Sequence, residues 1–558
     1  MIAMHVLTAA EMQACDRATT ERYGVPSIEL MRAASRAVAG FALERFPAAR
    51  RITVHCGRGN NGGDGMMAAR LMADAGLEVT VIALLNAAQK IAGDAAIAWQ
   101  ELNEAGRARV CVAANVRDLD RVKDALDADL IVDAVLGTGF KPPLKGLALE
   151  ALTWSREGAP GTPVLAVDLP SGWPADETQA TIAGPVFPAD AVITFTAPKP
   201  AHVFGQLTKR WDQPVVVAPI GSPDAAILSE QKIGWAGASL DLVQSPRAAA
   251  ANKGNFGHVL VVGGTLGAAG GKAGAPAMAA LAALRAGAGL VTAAVPMPAL
   301  AIVSAIAPEL MTWPLQETPA GQIAATNLEP KQLDALLAGK TVLAIGPGLG
   351  QGTETARFTA GLLSETKIPA VIDADALNIL AGKPALLAKL AKGRMLVLTP
   401  HPGEMARLTG KTVAEVQANR LETAREFARR IGVTLVLKGA RTVIAHADGH
   451  VSVNTSGNPG MAKGGSGDVL TGLIAGLIAQ YPDRVNQAVE AAVHLHGLAA
   501  DFAVNAGDEH TLLATDSLRY LAQAFRSRMH RLDEGGQSGY VWLQGGVVCS
   551  GGNSRTVI

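Results

Sequence analysis

In the stretch Asn454-Thr-Ser-Gly-Asn-Pro-Gly-Met-Ala-Lys-Gly-Gly-Ser-Gly-Asp468-Val-Leu-Thr-Gly472, a glycine-rich turn runs straight into an apolar segment, with an aspartate at the junction. Gly464, Gly465 and Gly467 let the backbone bend sharply and approach a ligand closely. The free N–H groups of such a turn, that of Ser466 among them, combine with the positive end of the following helix to seat a phosphate. An aspartate placed there can take the proton from a substrate hydroxyl while the amides hold the moving phosphoryl group. The chemistry this predicts is phosphoryl transfer, with Asp468 as the base. No G-x-x-x-x-G-K-[ST] occurs, so a P-loop is excluded and other segments must hold the nucleotide.

Four segments of the second half are suited to that. Lys438-Gly439-Ala440-Arg441-Thr442 closes an apolar run, and a lysine at a bend can neutralise phosphate charge. Ile345-Gly-Pro-Gly348-Leu-Gly350 is another glycine-rich turn after an apolar run. Thr399-Pro-His401-Pro-Gly-Glu404 fixes a histidine in a rigid loop. Lys272–Gly289, which includes Ala275, is a run of small residues that allows close approach. Asp373 and Asp375 either touch magnesium through water or cap a turn. His494 and His496, two apart on one helix, face different sides and read as packing residues.

The first half carries three polar motifs, each after an apolar run. Gly57-Arg-Gly-Asn60-Asn61-Gly62-Gly63-Asp64-Gly65 contains G-x-G-x-x-G, but the next strand ends in Asn86 rather than a carboxylate, which argues against a redox dinucleotide site. Asp133-Ala-Val-Leu-Gly137-Thr138-Gly139-Phe140 and Asp168-Leu-Pro-Ser171-Gly172 are the other two. In open α/β sheets ligands bind outside the carboxyl ends of the strands, so the three motifs are expected to converge. Asp133 and Asp168 could instead be turn formers.

Two α/β series must position these residues. Apolar strands alternate with helical segments in both halves, the pattern of mostly parallel sheets covered by helices. Thr8-Ala-Ala-Glu11 reads as a capping box. Expected strands are Arg51–Cys56, Val79–Leu85, Leu130–Val135, Val164–Asp168, Ala191–Thr196 and Val215–Ala218, then His258–Gly263, Gly289–Val295, Thr341–Ile345, Ala370–Asp373, Met395–Thr399, Thr434–Lys438 and Thr442–Ala445. The division expected is residues 1–225, a linker at 226–245, a second domain at 246–530 and a disordered Gly/Ser-rich tail at 531–558. At 558 residues the chain exceeds one ordinary domain. Formal net charge is zero, against nucleic acid as a partner. Four scattered cysteines with no CxxC pair support neither a zinc site nor a disulfide scaffold. No run is long and apolar enough for a membrane span, and no signal pattern opens the chain, so a cytoplasmic protein is expected.

The Gly464–Asp468 turn resembles the catalytic turn of the ribokinase-like superfamily. The first-half motifs resemble the N-terminal domain of the NAD(P)H-hydrate repair family, the epimerase for hydrated NAD(P)H (NAD(P)HX), over roughly 5–225. The second-half segments resemble its C-terminal domain, the ADP-dependent (S)-NAD(P)H-hydrate dehydratase, over about 240–525. The resemblance implies a Rossmann-like three-layer αβα domain followed by a ribokinase-like αβα domain. It implies that Asn60, Asn61, Gly62, Gly63, Asp64, Gly137, Thr138, Gly139, Phe140, Lys141, Pro142, Pro143 and Asp168 line the epimerase pocket. Asn61, Asp133 and Ser171 would hold potassium, and Asp168 would transfer the proton. In the dehydratase, Ala275, Gly348, Gly350, His401 and Asp468 would contact the hydrated nucleotide. Lys438 to Thr442 and the Gly464–Gly467 amides would contact ADP, with magnesium. NAD(P)HX and an adenine nucleotide are then the partners, and a homo-oligomer is expected. The rival reading is a ribokinase-like kinase for a vitamin alcohol, with a fused regulatory binding domain.

Overall fold

Our computed structural model describes residues 4–85, 91–268, 270–527 and 539–546. The chain divides into two compact units. One holds the described residues up to Ile233 together with the segment 539–546, and the other begins at Gly234.

The first unit is built on a sheet of eight strands. From edge to edge they are Val541–Gln544, Val215–Ala218, Ala191–Phe195, Val164–Val167, Leu130–Ala134, Arg51–Cys56, Glu78–Leu84 and Arg109–Ala113. Seven are parallel, and only Val541–Gln544 pairs antiparallel. Central strands such as Leu130–Ala134 and Ala191–Phe195 are buried at every residue, which is why they read as unbroken apolar runs. Chain order reverses between Arg51–Cys56 and Leu130–Ala134, and such a switch point opens a crevice at the carboxyl ends. The capping box is formed: Thr8 Oγ1 accepts from Glu11 N–H at 3.2 Å, and the Glu11 carboxylate accepts from Thr8 N–H at 2.7 Å.

The second unit repeats the plan with ten strands. The order is Met311–Leu315, Leu290–Pro296, His258–Val262, Val342–Ile345, Ala370–Ile372, Leu396–Leu398, Thr434–Leu437, Val443–Ala445, Val451–Val453 and Ile233–Trp235. It is parallel as far as Thr434–Leu437, then antiparallel through the next two strands. Its switch point lies between His258–Val262 and Val342–Ile345. An alanine- and valine-rich core joins the helix Gly274–Ala286 to the helix Ser466–Gln480, and small residues let the two come close. A Cβ at Gly472 would lie 2.0 Å from Ala279 O.

The boundary between the two units, at Ile233 and Gly234, falls inside the expected linker, and the expected tail carries structure of its own. The expected linker at 226–245 is ordered: it contains the strand Ile233–Trp235 and a 3₁₀ helix, Ala236–Val243, whose apolar residues are buried. The expected disordered tail contains the edge strand Val541–Gln544. Tyr540 and Trp542 pack edge-on against buried Phe41, with ring centroids 5.4 and 6.0 Å away. The rest of that segment, 531–538 and 547–558, lies outside the described residues. Among the described residues no helix is long and apolar enough to cross a membrane.

Candidate functional sites

The first-half motifs do converge. A cleft of about 1020 Å³ opens at the carboxyl ends of the first sheet, lined by Asn60, Asn61, Asp64, Gly137, Thr138, Gly139, Phe140 and Asp168. Gly137 sits where the three loops meet: a Cβ there would lie 2.8 Å from Asp168 Oδ2 and 3.1 Å from Asn61 Oδ1. Gly62 and Gly63 do not line the cleft. They lie inside the helix Asn60–Asp74, where a Cβ on Gly62 would strike Gly57 O at 1.8 Å and one on Gly63 would strike Met31 and Ala95. Lys141, Pro142 and Pro143 are exposed and also lie outside the lining.

Asp168 is the most constrained group. It follows the strand Val164–Val167 with φ at +64°, in the left-handed region. Its Oδ2 accepts from Thr138 N–H at 2.7 Å and Thr138 Oγ1 at 2.5 Å. Its Oδ1 accepts from Thr194 Oγ1 and Lys199 Nζ, both at 2.9 Å. Burial alone would raise its pKa, but the Lys199 ammonium, with Thr138, outweighs it and holds the carboxyl well below its usual range. Asp64, in the same cleft, is pushed the other way, well above its usual value, by burial and by the charge of Asp168.

Asp133 and Ser171 are in contact. Ser171 donates its N–H to Asp133 Oδ2 at 2.7 Å and its hydroxyl to Oδ1 at 2.6 Å. Burial pushes Asp133 up to about 6. The Asn61 side-chain oxygen and nitrogen are both buried without a hydrogen-bond partner. An orphaned amide and a buried carboxylate with no lysine or arginine ion pair among the described residues fit a hard cation.

The second site is a pocket of about 430 Å³ lined by Lys272, Ala275, Gly348, Asp375, Glu404 and Asp468, with small residues between. Asp468 lies in the first turn of the helix Ser466–Gln480, where the helix dipole favours its ionised form. Gly465, at φ +96°, makes the turn before it. Burial, then the charge of Asp373, raise Asp468 to about 6 against the pull of Lys438. Lys438 Nζ binds Asp373 Oδ1 at 2.8 Å and approaches Glu404 Oε2 at 3.9 Å. Gly467 keeps this corner open: a Cβ on it would meet Lys438 Nζ at 3.3 Å. Asp373 makes no capping bond; its other oxygen accepts from Thr471 Oγ1 at 2.8 Å. Asp375 accepts from Gly350 N–H at 2.9 Å and from the Gln351 side chain at 2.8 Å. Asp373, Asp375, Glu404 and Asp468 outnumber Lys272 and Lys438, and a site so charged fits magnesium bound through oxygen.

Other expected residues stand further back. Gly350 acts through its amide on Asp375. His401 caps the helix Pro402–Thr409, accepting from Gly403 N–H at 3.0 Å, and its Nε2 lies 3.5 Å from Glu404. Gly439, Ala440, Arg441 and Thr442 form a hairpin turn outside the pocket lining; Lys438 is not in the lining either, and meets the site through Asp373 and Glu404. Gly464 has nothing near its Cβ position, and Ser466 Oγ donates to Met461 O at 2.8 Å.

A family model described as NAD(P)H-hydrate dehydratase matches residues 259–523, and one described as YjeF-related protein N-terminus matches residues 27–201. Over 539 residues, 94% of this chain and 97% of the relative, it is 42% identical to the bifunctional NAD(P)H-hydrate repair enzyme of Moorella thermoacetica. The chain belongs to the bifunctional NAD(P)H-hydrate repair enzyme family. It is 35% identical to the Escherichia coli member over 510 residues, 91% of each chain. The ADP/ATP-dependent NAD(P)H-hydrate dehydratase of Bacillus subtilis, co-crystallised with ATP and Mg2+, superposes on 52% of this chain and 97% of its own, at 31% identity and a TM-score of 0.44. By this family membership the chain is a bifunctional NAD(P)HX epimerase and dehydratase, and the dehydratase model falls on the second unit.

Sequence reasoning gave no role to several residues that stand beside the expected ones. Lys199, Thr194 and His202 surround Asp168, and the rule of strand ends applied after Ala191–Phe195 would have found Lys199. Glu404 closes the Thr399–Glu404 motif and Lys272 opens a run of small residues, and neither position in the sequence discloses a partner.

Proposed function

We propose that the first unit interconverts the R and S hydrates of NADH and NADPH in its cleft, and that the second phosphorylates the ring hydroxyl of the S form from ADP. Asp468 takes the hydroxyl proton as the oxygen attacks the β-phosphorus, and AMP leaves. Phosphate is a far better leaving group than hydroxide. The ring nitrogen lone pair expels it, and loss of a neighbouring ring proton restores the double bond. The Gly464–Gly467 amides and Lys438 hold the developing phosphate charge. Asp375 and Glu404 would hold magnesium, which supplies further charge neutralisation. Asn61, Asp133 and Ser171 would hold potassium, which compensates the buried Asp133 charge.

In the epimerase, the proton-transfer role expected of Asp168 fits its surroundings poorly. A carboxylate stabilised by Lys199, Thr138 and Thr194 is a weak base. We assign Asp168 to positioning Lys199 and Thr138, and proton transfer to Asp64.

The observation that carries the dehydratase reading is Asp468 in the first helical turn beside Lys438, facing the same pocket as Ala275 and Gly348. Incubation with hydrated NADH, ADP and magnesium should restore the absorbance of the reduced nicotinamide and release phosphate. A stable phosphorylated product would instead establish a kinase.

A further inference from the structure

At the end of the strand Thr434–Leu437 opposite to Lys438, a second group of side chains meets that the repair reaction does not use. The hairpin between Val443–Ala445 and Val451–Val453 turns at His446–His450, closed by His446 N–H to His450 O at 2.9 Å. Glu490, on the helix Val485–Ala506, projects against this turn. Its Oε1 lies 2.9 Å from His446 Nε2 and 3.8 Å from His450 Nδ1. Ser452 donates to the same oxygen at 2.6 Å, and Ser239 donates to the other. Thr434 Oγ1 lies 3.1 Å from the remaining ring nitrogen of His446 and fixes that ring.

Glu490 is 6% exposed. Among the described residues its ion-pair partners are these two histidines, with no lysine or arginine. Two imidazoles and a carboxylate are a donor set for a borderline divalent ion. With Zn–ligand bonds of about 2.0–2.2 Å, tetrahedral ligand atoms stand roughly 3.3–3.6 Å apart. The two spacings here bracket that range, and all three ligand atoms lie within 4.8 Å of one another. The His450 side chain is 34% exposed, which gives the ion an entry from solvent.

We propose that His446, His450 and Glu490 form a zinc site that pins the hairpin to the helix Val485–Ala506. The same helix anchors the approach to the catalytic turn: Ser456 Oγ donates to His494 O at 2.8 Å, and Gly457 N–H donates to Asp501 at 2.9 Å. The ion therefore has a structural role.

The test uses the full chain, stripped with a chelator and titrated with zinc chloride by calorimetry, with metal content measured after desalting. One zinc per chain, a raised melting temperature and visible absorption of a tetrahedral cobalt derivative are expected. His450→Gln and the isosteric Glu490→Gln should each weaken zinc binding at least about 100-fold. Circular dichroism and magnesium-supported dehydration should stay near those of the parent. No retained zinc in the parent overturns the proposal. So does zinc that binds both variants as tightly as the parent, since the ion would then occupy the acidic pocket around Asp468.

Discussion

At the residue scale, Asp468 carries the dehydratase reading and can be tested alone. Asn keeps its size but cannot accept the proton. General-base catalysis is worth about 100- to 10,000-fold, so Asp468→Asn should lower dehydratase turnover within that range. ADP affinity should change little, because Lys438 and the glycine amides remain, and epimerase activity should be untouched. Near-normal turnover would remove Asp468 from the mechanism. In the other unit, Asp64→Asn should abolish most epimerisation with little effect on substrate affinity. Asp168→Asn, which loosens Lys199 and Thr138, should weaken substrate binding as well. If Asp64→Asn epimerises normally, the proton carrier is elsewhere. Asp468 and Asp168 were legible because a carboxylate beside glycines at a strand or helix end is a rare combination. Lys199 and Glu404 were not, because a single charged residue in the sequence does not disclose its partner: Lys199 acquires meaning only through Asp168, 2.9 Å away in space.

At the element scale, central strands were legible and edges were not. Val164–Val167 and Val342–Ile345 are buried throughout and announce themselves as apolar runs. Arg109–Ala113 and Met311–Leu315 are edge strands with mixed exposure, so their patterns resemble loops. Val541–Gln544 is the extreme case, four residues in a Gly/Ser-rich stretch, stabilised by a partner more than 300 positions away in sequence. It pairs with Val215–Ala218, and Gln544 Nε2 bonds Thr208 Oγ1 at 3.1 Å and Gln213 O at 3.0 Å. Trp542 is half-buried on Phe41. Trp542→Ala should therefore cost roughly 2 kcal/mol, about half the penalty of a fully buried tryptophan. Unfolding of the first unit, followed through epimerase loss in urea, should shift to lower denaturant while dehydratase loss stays put. A chain ending at residue 527 should behave likewise, more strongly. Equal sensitivity of both activities would show that the strand stabilises the whole chain rather than the first unit.

At the scale of the whole molecule, the two units share a plan that puts each site at a switch point, and both bury ionisable groups whose titrations oppose one another. His55, His202 and His496 are buried, and burial lowers each to about 4. A histidine of depressed pKa contributes stability that is fully present above its unfolded value, near 6.5, and is lost as pH falls towards 4, because the unfolded chain binds the proton first. Asp133 and Asp501 are raised to about 6 by burial, so their contribution is present at low pH and lost as pH rises through 6. The net pH dependence of the intact chain therefore masks each group, and a single variant exposes one. His55 suits this, since its ring bonds Ser155 Oγ at 2.6 Å behind the first sheet and outside the cleft lining. His55→Gln keeps a polar group but cannot titrate. It should lower stability at pH 7.5 by losing packing, and the gap from the parent should narrow steadily between pH 6.5 and 4.5, by about 1.4 kcal/mol for each pH unit over which only the unfolded histidine is charged. Urea midpoints of both proteins, measured through epimerase loss at several pH values, give that gap. A gap that stays constant with pH would mean that His55 takes up its proton as readily in the folded chain as in the unfolded one, against the burial the fold imposes on it.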